Sequence, residues 1–196
     1  MAESFADSGV YIVRVIFGLY GLLVVVRFLM QVARVDFYNP VCQGIIQITD
    51  PAHKPLGLVL PTVRGVNFAT LALAFLITLA STMLVSSLLG YGAFHPVFLV
   101  WVPLALFGQI LDIYFYAILI IVIASWIAPY SNHPGLTLVQ QLTEPLRTPA
   151  RKLLPPMGGL DLSIILIVLA IIVTERIVII GLGQTLRIPP GFVMGL

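Results

Sequence analysis

Apolar residues run through this chain in long blocks, separated by two segments rich in polar residues and proline. Four blocks have spanning length: residues 10–33, 66–89, 110–128 and 160–182. A helix needs about 20 apolar residues to cross about 30 Å of hydrocarbon, so each block predicts a transmembrane helix. Within the two intervening segments the period is helical. Val41, Ile45 and Ile48 share one helical face, and Val139, Leu142 and Leu146 repeat the arrangement. Each segment predicts an amphipathic piece in the headgroup layer, apolar face down and basic groups up. Pro145 or Pro149 is placed to open a new helical turn.

One region admits two counts. From residue 65 to residue 111 there is no Asp, Glu, Lys or Arg. That run holds the second block and a further apolar stretch, 94–107, broken by Pro103. Loop charge decides between four crossings and five. With four, Arg34, Lys54, Arg64, Arg147, Arg151 and Lys152 share one side, and only Arg187 lies on the other. With five, the basic residues divide nearly evenly. Basic residues gather on the cytoplasmic side, so four crossings are expected, with both loops cytoplasmic and both termini outside. Residues 91–109 then form an apolar linker, re-entrant or interfacial in character. Residues 184–196 form a short tail.

Composition agrees with lipid as the solvent. Of 196 residues, 60% are hydrophobic and 9% charged, where a soluble domain carries roughly 25% charged residues. Mean hydropathy is +1.09. A net charge of +2 leaves no basic face for nucleic acid. The single cysteine, Cys42, excludes a disulfide within the chain. Residues 1–9 hold Glu3 and Asp7 and no basic residue, so they lack the start of a secretory signal, and the first block is expected to stay as a span.

The two halves align without a gap at an offset of 94 residues. Pro40 falls on Pro134, and Gln47, Thr49 and Pro51 fall on Gln141, Thr143 and Pro145. Pro55 falls on Pro149, Pro61 on Pro155, Gly65 on Gly159 and Asn67 on Asp161. Four prolines in register with a shared QxTxP string indicate duplication. The expected fold is thus an all-α membrane protein. It has four spans in two parallel helix–loop–helix repeats, 10–90 and 110–183, with amphipathic, proline-punctuated cytoplasmic loops.

At these loops the chain resembles the YggT family, called YlmG in some lineages. The first repeat shows it in RFLMQVARVDFYNP, residues 27–40, and the second in LTEPLRTPARKLLPPMGGLDLS, residues 142–163. The likeness extends from about residue 20 to residue 182. It implies a multi-pass protein of the bacterial inner membrane with two YggT repeats, and no defined chemistry. Relatives of that family are linked to osmotic or ion tolerance, to cell division, and in plastids to cofactor assembly on a cytochrome complex. The first repeat departs from the family pattern. It has Gly57 and Leu58 where relatives tend to carry paired arginines. It has Arg64, Asn67 and Ala69 where the second repeat keeps Gly158, Asp161 and Ser163. The family motif here comprises Arg27, Asn39, Pro40, Pro51, Pro55, Pro61, Pro149, Pro155, Gly158, Gly159 and Asp161.

Several side chains could carry function. Arg14, Asp112, Glu175 and Arg176 fall near the outer ends of their spans. A charge at midplane costs about 2.5–3.5 kcal/mol on insertion scales, so three readings stay open for them: snorkelling to the interface, an ion pair of Arg14 with Glu175 or Asp112, and a permeation path. Arg27, with Arg34 seven residues on, is expected to snorkel toward headgroups. Asp161 and Asn67 are placed to cap the helices that follow them. In the second loop, Thr143, Glu144, Pro145, Arg147, Arg151 and Lys152 form a candidate docking surface for a protein partner or anionic lipid. No catalytic motif, metal-ligand spacing or cofactor fingerprint is present. The expected function is a non-enzymatic scaffold or assembly factor, partnered by the bilayer and by another protein or a second copy. The alternative is a small transporter or channel in ion or osmotic homeostasis.

Overall fold

The computed structural model describes residues 2–63, 65–154 and 161–189, with side chains from residue 7 onward. Among them, four helices are long and apolar enough to cross a membrane: Asp7–Val32, Phe68–Leu88, Phe98–Ile127 and Ser163–Thr185. The first lies in α1 (Ala2–Val32), the second is α3 (Phe68–Leu88) and the third is α4 (Phe98–Ile127). The fourth is built from α6 (Ser163–Thr174), a π-helical turn Glu175–Ile180, and α7 (Gly181–Thr185). Two further helices join the spans on one face of the protein: α2 (Pro40–Gly57) and α5 (Pro134–Leu153). The repeated helix–loop–helix organisation is therefore present. Of the motif positions, Pro155, Gly158 and Gly159 lie outside the described residues, as do Arg64 and the end of the tail.

Residues 98–109 correct the expectation of a separate linker. They are the first turns of α4, which runs unbroken from Phe98 to Ile127. Tight turns open it, with Phe98 N donating to His95 O and Val100 N to Val97 O. Pro103 then falls in the second turn, where it removes the bond to the Leu99 carbonyl and crowds that carbonyl with its ring, and the helix continues past it. Phe94, His95, Phe98 and Trp101 stack around this opening, with ring centroids 5.5 to 6.5 Å apart. The stretch is thus neither re-entrant nor a fifth crossing.

Both loop helices begin in the same way. Pro40 and Pro134 occupy the first turn, where a missing N–H leaves nothing unsatisfied. The residues before them cap the helices: Asn39 Oδ1 accepts from Val41 N at 2.9 Å, and His133 Nδ1 from Gly135 N at 3.1 Å. Pro51, Pro55, Pro145 and Pro149 lie inside the helices. None of them opens a new helix, contrary to the expectation for Pro145 and Pro149. All four are exposed, so the carbonyls freed by their missing amides face outward. A helix tolerates proline on its solvated side because the bend it causes is convex toward solvent and wraps the helix onto its packed face.

The two repeats pack unequally, and their compositions explain it. The buried positions of α3 are mostly small or hydroxylated: Ala69, Thr70, Ala74, Thr78, Ser81, Thr82 and Ser86. Such residues let helix backbones approach closely in lipid. α3 accordingly sits against α1, α2 and α4, half of its most apolar stretch buried. Its counterpart α6 reads SIILIVLAIIVT, bulky and β-branched. The fourth span is only 17% buried in the same sense and packs on α4 and α5. One apolar core nevertheless joins the repeats, through Val24, Leu29 and Met30 of α1, Leu73 and Ile77 of α3, Leu106 and Ile118 of α4, and Ile167 of α6.

This arrangement sets a topology test. Cys42 is fully buried. Its burial, and after that the charge of Asp36, push the thiol above its ordinary value, so it gives little maleimide background. In sealed vesicles, cysteines placed by L58C and L153C should label from one side and Y91C from the other. The three native residues are 89%, 72% and 67% exposed.

Candidate functional site

Each loop helix is tied to a span by a compact set of charges. In the first repeat the cation comes from the span. Arg27 lies five residues before the end of α1 and is only 7% exposed. Its guanidinium turns under α2: Nη1 donates to Thr49 Oγ1 at 2.7 Å and to the Ile46 carbonyl at 3.4 Å. Nη2 pairs with Asp50 Oδ1 at 2.9 Å and lies 3.3 Å from His53 Nδ1. Arginine can only donate, so Nδ1 accepts and the ring proton sits on Nε2. Lys54 completes the set, 3.3 Å from Asp50 Oδ2. Arg27 therefore does not snorkel to the headgroups. Partners on α2 meet its charge where it stands.

That pairing sets which face of α2 packs on the protein. The buried stripe is Cys42, Ile45, Thr49 and His53, while Val41 and Ile48 are 37% and 54% exposed. Burial alone would raise the Asp50 carboxyl, but hydrogen bonds from Arg27 and Lys54, with their charges, hold it below its ordinary value. Burial, and then the charge of Arg27, pull His53 below its ordinary value against opposing effects of Asp50 and Asn67. Gln31, one turn beyond Arg27, extends the network. It donates to Thr70 Oγ1 at 3.0 Å and accepts from Asn67 N at 3.3 Å.

The second repeat rebuilds this node with its charges divided differently between span and loop helix. The counterpart of Arg27 at the 94-residue offset is Ile121, and the counterpart of His53 is Arg147. The cation has thus moved from the span to the loop helix. An acid stays at the Asp50 position as Glu144, and a second one, Asp161, stands at the start of the fourth span where the first repeat has Asn67. Asp161 Oδ2 accepts from Arg151 Nε at 3.1 Å and lies 3.5 Å from Arg147 Nη2. Its Oδ1 accepts from Ser163 N at 3.2 Å and from the Ser163 hydroxyl. Glu144 sits 3.6 Å from Arg151 Nη1 and 3.9 Å from Arg147 Nη1, and accepts from Thr148 Oγ1 at 2.9 Å. Burial would raise Asp161, but the Ser163 and Arg151 hydrogen bonds and the two arginine charges keep it below its ordinary value.

Asp161 thus meets an amide at the fourth span's start, as Asn67 meets Ala69 N at 2.8 Å before α3. It also does more than the sequence indicated, because it gathers two arginines. The candidate docking residues divide accordingly. Thr143 is fully buried, and its hydroxyl donates to the Val139 carbonyl at 3.0 Å. The Arg147 side chain is 14% exposed and that of Arg151 35%. Glu144, Pro145 and Lys152 face outward. The two loop helices also touch: Asn39 Nδ2 donates to the Pro134 carbonyl at 2.8 Å, and Asp36 N to Gln141 Oε1 at 3.1 Å. Thr49, Asp50 and His53 were missed from sequence. The signal that could have found them is a polar pair at i and i+4, Thr49 and His53, facing an arginine inside an apolar span.

The four intramembrane charges are placed differently. Arg14 and Asp112 line one groove, while Glu175 and Arg176 are exposed on the π-helical turn. Among the described residues, no ion pair includes any of the four.

Fold and nodes together define a two-repeat membrane protein whose interfacial helices are fastened to its spans by buried charge. The model for the CCB3/YggT family matches residues 6–88 and 100–182, two stretches displaced by the same 94 residues. The chain belongs to the CCB3/YggT family. It is 42% identical over 184 residues to an uncharacterised protein of Pseudomonas aeruginosa, covering 93% of each chain. It is 32% identical to an uncharacterised Vibrio alginolyticus protein, over 82% of this chain and 88% of that one. The Escherichia coli K12 protein named YggT is 29% identical over 90% of both. No solved structure matches.

The first node predicts a coupled loss of stability. Removing one partner of a buried pair costs about 3–5 kcal/mol, and with Asp50 28% exposed a cost of about 2 kcal/mol is expected for R27Q or D50N. Thermal unfolding in detergent should show the double variant losing clearly less than the sum. Acid should loosen both nodes. The carboxyls of Asp50 and Asp161 are depressed, so their contribution is present above about pH 4 and is lost as pH falls through their folded values. His53 is depressed too, so the unfolded chain binds its proton first, near pH 6.5. Stability should already fall between pH 7 and pH 5, and H53N should flatten that slope.

Proposed function

We propose that the protein is a non-enzymatic scaffold or assembly factor of the bacterial inner membrane that presents α2 and α5 to a partner in the cytoplasm. The observation that carries this reading is the fastening of the two helices beneath their outward faces. Each is fastened below by a charged node, and they are joined through Asn39 and Gln141. Their outer faces carry Pro51, Lys54 and Pro55 on α2, and Glu144, Pro145, Pro149 and Lys152 on α5. Rigid proline rings beside carbonyls freed of their helical donors offer apolar contact and hydrogen-bond acceptors with little conformational freedom to lose on binding.

Arg147 and Arg151 are held by Asp161 and Glu144. They shape the platform from beneath, and Lys54 and Lys152 are the cations that face a partner. Bacterial relatives and the direction of the loop charge support the inner membrane and the cytoplasmic side. The hydroxyls of α3 that could line a polar path are buried against neighbouring helices, which disfavours a channel within one chain.

Photocrosslinking in cells separates the readings. Probes at Lys54 and Thr148 should yield the same discrete protein adduct, and a probe at Leu169, 58% exposed on α6, should not. K152E should weaken the Thr148 adduct. Proteoliposomes holding only this protein should pass no ions above the empty-vesicle rate. A flux abolished by D112N would overturn the scaffold reading in favour of a transporter.

A further inference from the structure

Away from the loop helices, a groove of about 740 Å³ opens between α1 and α4. Its walls are equivalent faces of the two repeats. Val15, Gly18, Leu19, Leu22 and Val26 on α1 stand opposite their 94-offset counterparts Gln109, Asp112, Ile113, Tyr116 and Ile120 on α4. The groove therefore follows the pseudo-twofold relation between the repeats. Leu138, Val139 and Leu142 of α5 close its loop-side end. Leu19 and Tyr116 are 63% and 60% exposed, so it opens sideways into the surrounding lipid.

The polar groups of this groove sit together at the end far from α5. Arg14 lies above the apolar wall, about 18 Å from the level of Val26 by helical rise. Across from it are Gln109 and Asp112. Arg14 and Asp112 line the same mouth and are not paired with each other. A cation and an anion held apart over an apolar trough match a ligand with the reverse charges on adjoining atoms and an acyl chain below. The depth matches as well, because about 18 Å is close to the extended length of a membrane acyl chain.

We propose that the groove holds one phospholipid with an amine-bearing zwitterionic headgroup, drawn from the leaflet on the side of the termini. Its phosphate meets Arg14, its ammonium meets Asp112, and one acyl chain lies between α1 and α4 toward α5. Charge sets the choice of occupant. A lipid with phosphate alone leaves Asp112 facing a like charge, and one with only a capped ammonium offers Asp112 no hydrogen bond.

The test uses diazirine-acyl phosphatidylethanolamine and its phosphatidylglycerol analogue, each reconstituted with the full chain and mapped by mass spectrometry after irradiation. The proposal expects phosphatidylethanolamine adducts at Leu22, Ile120 and Val139. D112N should reduce them about tenfold, as for loss of one charged hydrogen bond, while R14Q reduces the adducts of both lipids. Adducts at Leu169, on the outer surface of α6, report that the variants remain folded and should not change. Equal labelling by the two lipids, or labelling untouched by D112N, overturns the headgroup assignment. Absence of adducts at Leu22, Ile120 and Val139 from either lipid, with Leu169 still labelled, overturns it altogether.

Discussion

Charge next to hydrocarbon has to be met where it arises, and that requirement organises this protein. Arg27 sits within an apolar span, where the penalty for an unmet cation is severe. The chain answers it by laying α2 across the end of α1 so that Thr49, Asp50 and His53 point down onto the guanidinium. The loop helix is thus a lid on a charge before it is anything else. Its position and the outward placement of its prolines follow from the face that Arg27 claims.

Duplication allowed this requirement to be solved twice in different ways. In the second repeat the span carries Ile121 where the first has Arg27, and the cations stand on α5 as Arg147 and Arg151. Asp161 draws them to the beginning of the fourth span. The mechanical result is the same, a loop helix fastened to a membrane helix. The chemical results differ: α2 is fastened to the span that precedes it, and α5 to the span that follows it. The same divergence shows in packing, where the small hydroxylated face of α3 becomes the core and the bulky face of α6 is left to lipid.

Much of the fold was legible because lipid imposes simple rules. Length and hydropathy give the spans, and proline register gives the repeat. Two features were not legible. The 98–109 stretch reads as a linker because Pro103 looks like a break, yet a proline in a second helical turn removes one bond and the helix continues. The protein-facing side of α2 was not read, because an apolar count ranks Val41 and Ile48 above Thr49 and His53, which share the buried stripe. Periodicity measures affinity for hydrocarbon, and this face is chosen by an ion. At the candidate site, Arg147, Arg151 and Asp161 were visible as residues. Their mutual engagement was not, since it depends on the fourth span starting beside the end of α5.

The parallel order of the repeats has one further consequence. Helix α1 faces α4 through corresponding positions, and α2 meets α5 across the same axis. An interface built from matching surfaces of two like units is isologous, so it closes on itself and does not polymerise. A chain with a single such unit would already possess both halves of it, and two separate molecules could meet through the surface that is internal here. Fusion into one chain then freed each half to drift, which is the freedom that lets one node keep Arg27 in its span while the other keeps Arg147 and Arg151 on its loop helix.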